Sequence, residues 1–324
     1  MSAPLRPHSA RSSGAAEAPA AFFAGPDSSH RPLTAGVIGA GRVGAVLGAA
    51  LNRAGHSVVA VSGRSDTTRT RINQLLPGIA NLSGDEVARA AVDLLILAVP
   101  DDALAAVVAD LAEAGALRPG QVVAHTSGAH GLAVLERATS AGALPLALHP
   151  AMTFTGTPAD LARLPGISYG VTTVTQLRPF VVRLIADLGG VPEWVAEEDR
   201  PLYHAALAHG ANHLVTLVNE AVDRLRDAGV ADPAKVLGPL LRAALENALG
   251  LGDAALTGPV VRGDAGTVAR HLARLADTAP ESVPGYLALA RRTADRAMAA
   301  GRLRPADAVA LLGVLADRHR ETVP

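Results

Sequence analysis

The sequence predicts an α/β fold: a doubly wound parallel sheet followed by an all-helical C-terminal domain. Three observations carry that reading. An apolar run, LTAGVIG, turns directly into Gly39-x-Gly41-x-x-Gly44 and a helical pattern. Strand-length apolar runs then alternate with helical stretches to about residue 196, as βαβ units do. Beyond Asp199 only helical periodicity is found.

The glycines of the first turn each have a separate task. Gly39 permits the tight exit from the strand, Gly41 lets the backbone approach a pyrophosphate, and Gly44 lets the next helix pack close to the sheet. The N-terminal amides of that helix aim at phosphates, so Gly39, Ala40, Gly41, Arg42, Val43 and Gly44 form a candidate dinucleotide site of Rossmann type. A second strand, His56–Val61, follows Gly55 and supplies the required context. Its end reads Val61-Ser62-Gly63-Arg64-Ser65, with no carboxylate at the tip to hold the ribose 2′-hydroxyl of NAD. Arg64 suits a 2′-phosphate, with Ser62 and Ser65 as further donors, so NADP is expected ahead of NAD. A glycine turn without a ligand and a solvated Arg64 are the plain alternatives.

Helices are expected near Thr67–Leu76 and Asp85–Ala91. Asp93–Val99 is a continuous apolar run, as a strand buried on both faces should be. Val99 and Pro100 at its end join the candidate cofactor residues, and Asp101 or Asp102 is placed to cap a helix Ala103–Glu113. A strand Gln121–His125, a helix Gly131–Thr139, a strand Leu144–Leu148, a strand Ile167–Val174 and a helix Gln176–Gly189 follow. A long helix is then expected from Arg200 to Ala228, with others at Lys235–Leu249, Asp264–Ala276, Val283–Ala300 and Pro305–Arg318. The domains expected are a disordered tail over 1–32, a dinucleotide-binding domain over 33–196, and an all-α substrate and dimerisation domain over 197–324.

Composition narrows the function. At 324 residues the chain is long enough for two cores, and with aromatics at 2% those cores are built from Ala, Leu and Val. A net charge of −1 and so few stacking rings exclude a nucleic-acid surface. The absence of cysteine excludes disulfides, thiol nucleophiles and cysteine metal sites, and suits a reducing cytoplasm. In the tail, the most apolar piece, Ala18–Gly25, is too short for a signal-peptide core and contains Pro19. The longest uncharged run, Ser140–Ala159, is interrupted by Pro145, Pro150 and Pro158, so no membrane span is expected. His209 and His213 share a helix face, but no carboxylate or third ligand accompanies them, and no metal is expected.

In an open parallel sheet, ligands bind beyond the carboxyl ends of the strands, which ranks the polar residues. Those ends carry Pro100-Asp101, His125-Thr126-Ser127-Gly128 and His149-Pro150. His149 is the candidate acid/base for the proton that accompanies hydride transfer, and Ser127 the hydroxyl that orients substrate. His125 is a candidate substrate contact. Each has an ordinary alternative: a histidine bonded to a backbone carbonyl, or a serine capping the next turn. On the long helix, His204 and Asn212 are the catalytic candidates that complete the pocket; they share a face with Ala205 and Ala208, suited to the approach of a flat ring or simply to an alanine-rich helix. Arg262, just outside the helix that Asp264 caps, is a candidate carboxylate clamp.

Together GVIGAGRVG, LLILAVPDD, HTSG, LHPAMTFTG, YHAALAHGANHL and LTGPVVRGD resemble the bacterial Rossmann-like proteins with an uncharacterised helical C-terminal domain, over about residues 33–320. The wider group includes prephenate dehydrogenase, pyrroline-carboxylate reductase, ketopantoate reductase and deazaflavin-dependent NADP reductases, whose helical domain often dimerises. The resemblance to prephenate dehydrogenases implies a catalytic histidine at His149 and a serine at Ser127. The lysine mechanism of the ketopantoate reductases would need a lysine at Ala208 if Asn212 is its asparagine; Lys235 is the only lysine and lies on another helix. The expected function is an NADP-dependent oxidoreductase acting on a small carboxylate-bearing C=O or C=N substrate. Ketopantoate reduction in pantothenate synthesis, or a non-catalytic NADP-binding sensor, are the alternatives.

Overall fold

The structure is a computed structural model and describes residues 31–316, so the expected tail lies outside the described residues apart from Arg31 and Pro32. The described residues form two compact units that divide between Ala211 and Asn212. The first is built on β1 (Thr34–Ile38), β2 (Ser57–Ser62), β3 (Ala80–Asn81), β4 (Leu94–Leu97), β5 (Val122–His125), β6 (Leu144–Pro150), β7 (Ser168–Thr173) and β8 (Val191–Trp194). Around them lie α1 (Arg42–Arg53), α2 (Asp66–Leu75), α3 (Gly84–Ala90), α4 (Asp101–Glu113), α5 (Glu136–Ser140), α6 (Arg178–Asp187) and α7 (Arg200–Leu207).

The strands make one sheet in the order β3-β2-β1-β4-β5-β6-β7-β8. The chain moves outward in one direction from β1 and in the other from β4, so the crevice between β1 and β4 is the switch point where ligands bind. The sheet is covered on both faces, and β4 shows why its sequence is apolar throughout. Leu94 and Ile96 enter a core shared with α1 and α6, while Leu95 and Leu97 enter one shared with α3 and α4.

The sheet departs from the expected parallel arrangement at one pair. β6 and β7 run antiparallel, with His149 opposite Gly170. Between them the chain forms only a 3₁₀ turn, Pro158–Ala162, and no α-helical crossover exists to return it to the same end of the sheet. Two strands were missed in the sequence. β3 has two residues, and β8 reads Val-Pro-Glu-Trp, a half-exposed edge in which proline is tolerated. The Arg178 guanidinium covers that edge 4.5 Å above the Trp194 ring. The helix expected over 131–139 is instead a 3₁₀ turn, Ala133–Leu135, and the short α5. Asp101 and Asp102 fall inside the first turn of α4 rather than capping it, because Pro100 takes the N-cap position.

The loop after β6 is organised by one carboxylate. Asp160 is fully buried and accepts from Thr155 N–H (2.8 Å), Thr155 Oγ1 (2.9 Å) and Gly156 N–H (2.7 Å). Gly156, at φ +77°, lies against Arg42 of α1, and its carbonyl accepts from Arg71 Nε of α2 at 3.2 Å. A strand-end loop is thereby fixed beside the start of α1.

The second unit contains α8 (His213–Asp227), α9 (Pro233–Leu251), α10 (Ala265–Thr278), α11 (Val283–Ala299) and α12 (Pro305–Ala316). Its core is Val268, Leu272, Leu287, Ala290, Ala294, Leu311 and their neighbours, contributed by α10, α11 and α12. Asp264 caps α10 through Thr267 N–H at 3.0 Å. The continuous helix expected over 200–228 is interrupted: a π-helical turn, Ala208–Asn212, separates α7 from α8. The end expected at Arg318 lies outside the described residues. No helix among the described residues is long and apolar enough to cross a membrane.

Asp160→Ala is expected to destabilise the first unit by roughly 1–3 kcal/mol, because buried donors lose their acceptor. Burial pushes the Asp160 carboxyl up, but its donors outweigh that and hold its pKa below the free value of 3.8. The stabilisation is therefore complete above pH 3.8 and is lost as the pH falls through the depressed folded value. Urea denaturation of wild type and variant from pH 7 downward checks both statements; equal midpoints at pH 7 would contradict them.

Candidate active site

At the switch point a cavity of about 430 Å³ runs from Gly41, Arg42 and Val43 past Val99 and Pro100 to Ser127, Gly128, His149 and His204. The glycines of the first turn shape one end. Gly39 has φ +87°, and a Cβ there would come within 2.5 Å of the Ala98 carbonyl. A Cβ on Gly44 would collide with the Gly39 carbonyl and sit 3.0 Å from Val37. Gly41 differs: a Cβ there would meet only the Gly39 carbonyl, at 3.9 Å, so its missing side chain leaves open surface. It is also the N-cap of α1, with no side-chain cap, so the first amides of the helix are left for a ligand. Ala40 is fully buried under this turn, and its N–H bonds the Ser62 carbonyl at 2.8 Å.

That bond locks the tip of β2 to the turn. Asn81 grips the same tip through Gly63 N–H (2.9 Å) and the Gly63 carbonyl (3.0 Å). Arg64 is exposed at the tip, with no carboxylate beside it in the chain before Asp66. Ser65 caps α2, accepting from Thr68 N–H at 3.1 Å and donating to Thr68 Oγ1 at 2.9 Å, so its hydroxyl hydrogen is already used.

At the other end, His149 leaves β6 facing the cavity. Its Nδ1 lies 3.0 Å from the Tyr203 hydroxyl, with the rings edge to face at 88°. The antiparallel register creates this pairing: Gly170 stands opposite His149, and a Cβ there would collide with the Tyr203 ring. Gly128 plays the same part on the next turn. A Cβ there would lie 2.5 Å from His204 and 3.1 Å from His149 Nε2.

The start of α7 is held in place by Arg200, which is fully buried. Its guanidinium donates to the carbonyls of His130 (2.9 Å), Gly170 (3.1 Å) and Ser127 (2.6 Å) and lies 5.7 Å from the Tyr203 ring centroid. Glu197, just before it, accepts from Leu132 N–H (2.6 Å) and Ala133 N–H (3.1 Å). Burial lowers the His149 pKa to about 4, with Arg200 and His204 adding to the effect, so the ring is neutral at pH 7.

The structure thus brings His149, Ser127 and His204 together with Gly41, Arg42, Val43, Val99 and Pro100. His125 is not part of this set. It is fully buried, its Nε2–H bonds the Gly131 carbonyl at 2.8 Å, and its Nδ1 accepts from Ser127 N–H at 3.2 Å. Burial lowers its pKa to about 4 as well. It corrects the expectation of a substrate contact: the ring braces the turn that carries Ser127. Ser127 Oγ accepts from Ala129 N–H (3.2 Å) and His130 N–H (3.1 Å), which leaves its hydroxyl hydrogen to donate. Asn212, at the end of the π turn, and Arg262, exposed in the loop before α10, belong to the second unit. Tyr203 opens the YHAALAHGANHL motif but carried no assigned role, and Arg200 was visible only as the first residue of a helix.

Residues 23–150 match the model of the Rossmann-like domain, and residues 167–293 match that of a domain of unknown function, DUF2520. No curated protein sequence matches the chain. Among solved structures, a Bacteroides fragilis protein assigned as an NADP oxidoreductase is similar, with a TM-score of 0.71 and 23% identity over 82% of this chain and 98% of that one. An imine reductase from Pseudomonas sp. is similar at TM-score 0.58 and 20% identity, over 88% of this chain and 100% of that one. A pyrroline carboxylate reductase from Plasmodium falciparum, solved with NADP bound, gives 0.53 and 14%, over 82% and 98%. These likenesses show the fold.

Two outcomes are expected. Gly128→Ala should cost roughly 1–3 kcal/mol of stability by overpacking against His204 and His149, read from denaturant midpoints. In the wild type, acidification from pH 6.5 to about 4 should itself destabilise, because the unfolded chain binds protons that His125 and His149 refuse. A flat stability profile over that window would contradict the second.

Proposed function

The chain joins a Rossmann-like domain to DUF2520, and from that premise we propose that it is an NADP-dependent oxidoreductase of small carboxylate-bearing substrates, acting at a C=O or C=N bond. The observation that carries the reading is the single cavity linking the open backbone at Gly41 to the side chains of His149 and His204. The residues present fit the dinucleotide: Gly41 leaves the backbone bare, α1 offers uncapped amides, and Arg64 stands at the β2 tip for a 2′-phosphate. When bound, the cofactor supplies or accepts the hydride.

The chain's own residues supply the rest. The amides of Arg42 and Val43, beside the bare backbone of Gly41, would hold the pyrophosphate. Ser127 donates its free hydroxyl hydrogen to a substrate oxygen. His149, neutral at pH 7, works through a neutral N–H or lone pair rather than as an imidazolium acid, which changes the acid/base role expected from sequence. His204 forms the wall beside it, with ring centroids 5.9 Å apart. Of the second unit's residues, Asn212 keeps its sequence-based assignment as a catalytic candidate and Arg262 as a substrate clamp.

We further assign α8 and α9 to pairing with a second copy of the chain. α8 has no buried residue and α9 only Pro233, while Leu240 is 63% and Leu249 81% exposed. Apolar helix faces of that length are covered in a stable assembly.

NADPH should bind more tightly than NADH in titration calorimetry. Arg64→Ala should narrow the difference by about 1.5–3 kcal/mol, the worth of a charge-assisted hydrogen bond. Equal affinities in the wild type would remove the NADP reading, and failure of a panel of 2-oxo acids and imines to oxidise NADPH would remove the enzymatic one. Light scattering should give a dimer for the wild type and a monomer for Leu240→Asp/Leu249→Asp; a monomeric wild type would remove the assembly.

A further inference from the structure

His149 has a partner that the proposed reaction does not yet use. Tyr203 lies edge-on to the imidazole, with its hydroxyl 3.0 Å from Nδ1. Several elements cooperate to put it there. Arg200 anchors the first turn of α7 to the carbonyls of three loops and strands and faces the phenol ring. Gly170, directly across the sheet from His149, leaves the space the ring occupies.

The direction of the hydrogen bond follows from the surroundings. The Arg200 guanidinium facing the phenol ring favours negative charge on its oxygen, which makes the hydroxyl a stronger donor. The neutral imidazole offers its Nδ1 lone pair as the acceptor at 3.0 Å, so the hydroxyl hydrogen is placed on Nδ1. A neutral imidazole that accepts at Nδ1 carries its proton on Nε2. Nε2 lies beside Gly128, on the wall of the cavity.

We propose that Tyr203 is the positioning residue of His149: it holds the ring as the Nε2–H tautomer facing the cavity and replaces the proton that Nε2 gives up. This rests on the reading of His149 as the reacting side chain. In a reduction, the substrate oxygen or nitrogen takes the proton from Nε2 as its carbon receives the hydride that a bound dinucleotide would supply. As that N–H bond breaks, Nδ1 takes the Tyr203 proton, so the ring changes tautomer and never becomes an imidazolium. The phenolate left behind faces the Arg200 guanidinium and is reprotonated from water. This gives a neutral histidine a route to deliver a proton at pH 7, which imidazolium chemistry at a pKa of about 4 would not. The other groups acting on His149 are His204 and Arg200, which disfavour its protonation together with His125, and Asp101, which favours it.

The test has two arms on the full chain. In steady-state kinetics with a substrate from the panel, Tyr203→Phe should lower kcat by roughly 10–100-fold with KM and NADPH affinity unchanged. The double variant Tyr203→Phe/His149→Asn should be no slower than His149→Asn alone. Multiplying losses would overturn the proposal, since Tyr203 would then act independently of His149. In ¹⁵N NMR of the imidazole, which needs no turnover, wild-type His149 should be protonated at Nε2 and titrate near 4. Tyr203→Phe should raise that midpoint, because a donor that stabilises the neutral ring is gone. An unchanged titration, or an Nδ1–H tautomer in the wild type, would overturn the pairing. Should no substrate be turned over, the oxidoreductase reading fails while the NMR arm still decides the role of Tyr203.

Discussion

The Arg200 guanidinium is fully buried and binds the carbonyl oxygens of Ser127, His130 and Gly170, which come from the turn after β5 and from β7. No carboxylate forms an ion pair with it among the described residues, so its charge is stabilised by backbone dipoles. Such a charge is costly to bury, and it persists only where several acceptors replace its water. The histidine end of the cavity depends on that arrangement. It fixes the entry angle of α7, and α7 carries Tyr203 and His204 to His149. The same carbonyl bonds restrain the turn that presents Ser127 and the strand position that Gly170 leaves empty. Removing the guanidinium would take a donor from three carbonyls at once, a larger loss than one hydrogen bond conveys.

Electrostatics follow from the same residue. A fixed cation beneath the imidazoles opposes their protonation, and burial acts in the same direction on His125 and His149. Both rings are therefore neutral, hydrogen-bonding parts at physiological pH. They differ in what they bond. The nitrogens of His125 are both engaged by backbone, which makes it part of the scaffold. His149 has one nitrogen on a phenol and the other at the cavity, which leaves it available for chemistry.

Much of this was legible in the residues. The glycine turn, the continuous apolar β4 and the polar strand tips follow local rules of period and turn chemistry. Those rules brought Gly41, Ser127 and His149 to one end of the sheet before any geometry was known. His204 was singled out on the strength of one helix face, and it lines the same cavity. The unread parts are those that local rules do not govern. Nothing in Ile167–Val174 encodes that its strand runs against its neighbour, since direction is set by what lies between β6 and β7. The pairing of Gly170 with His149 is a consequence of that reversal, and so is the space for Tyr203. Arg200 opens a helix as many arginines do; its burial comes from contacts with residues up to 73 positions away. The π turn at Ala208–Asn212 likewise leaves no mark in an alanine-rich stretch.

Gly128 and Gly170 give the site a property that bears on how such a protein diversifies. Each is a place where the chain has already withdrawn its side chain, and the rings of His149, Tyr203 and His204 fill the vacated volume. Every coding change at these two positions adds atoms, so drift there can narrow the site but never widen it. Variation that admits a bulkier substrate must therefore arise elsewhere, in side chains that still have something to lose. A lineage that needs new specificity would keep these two glycines and change the residues that face them.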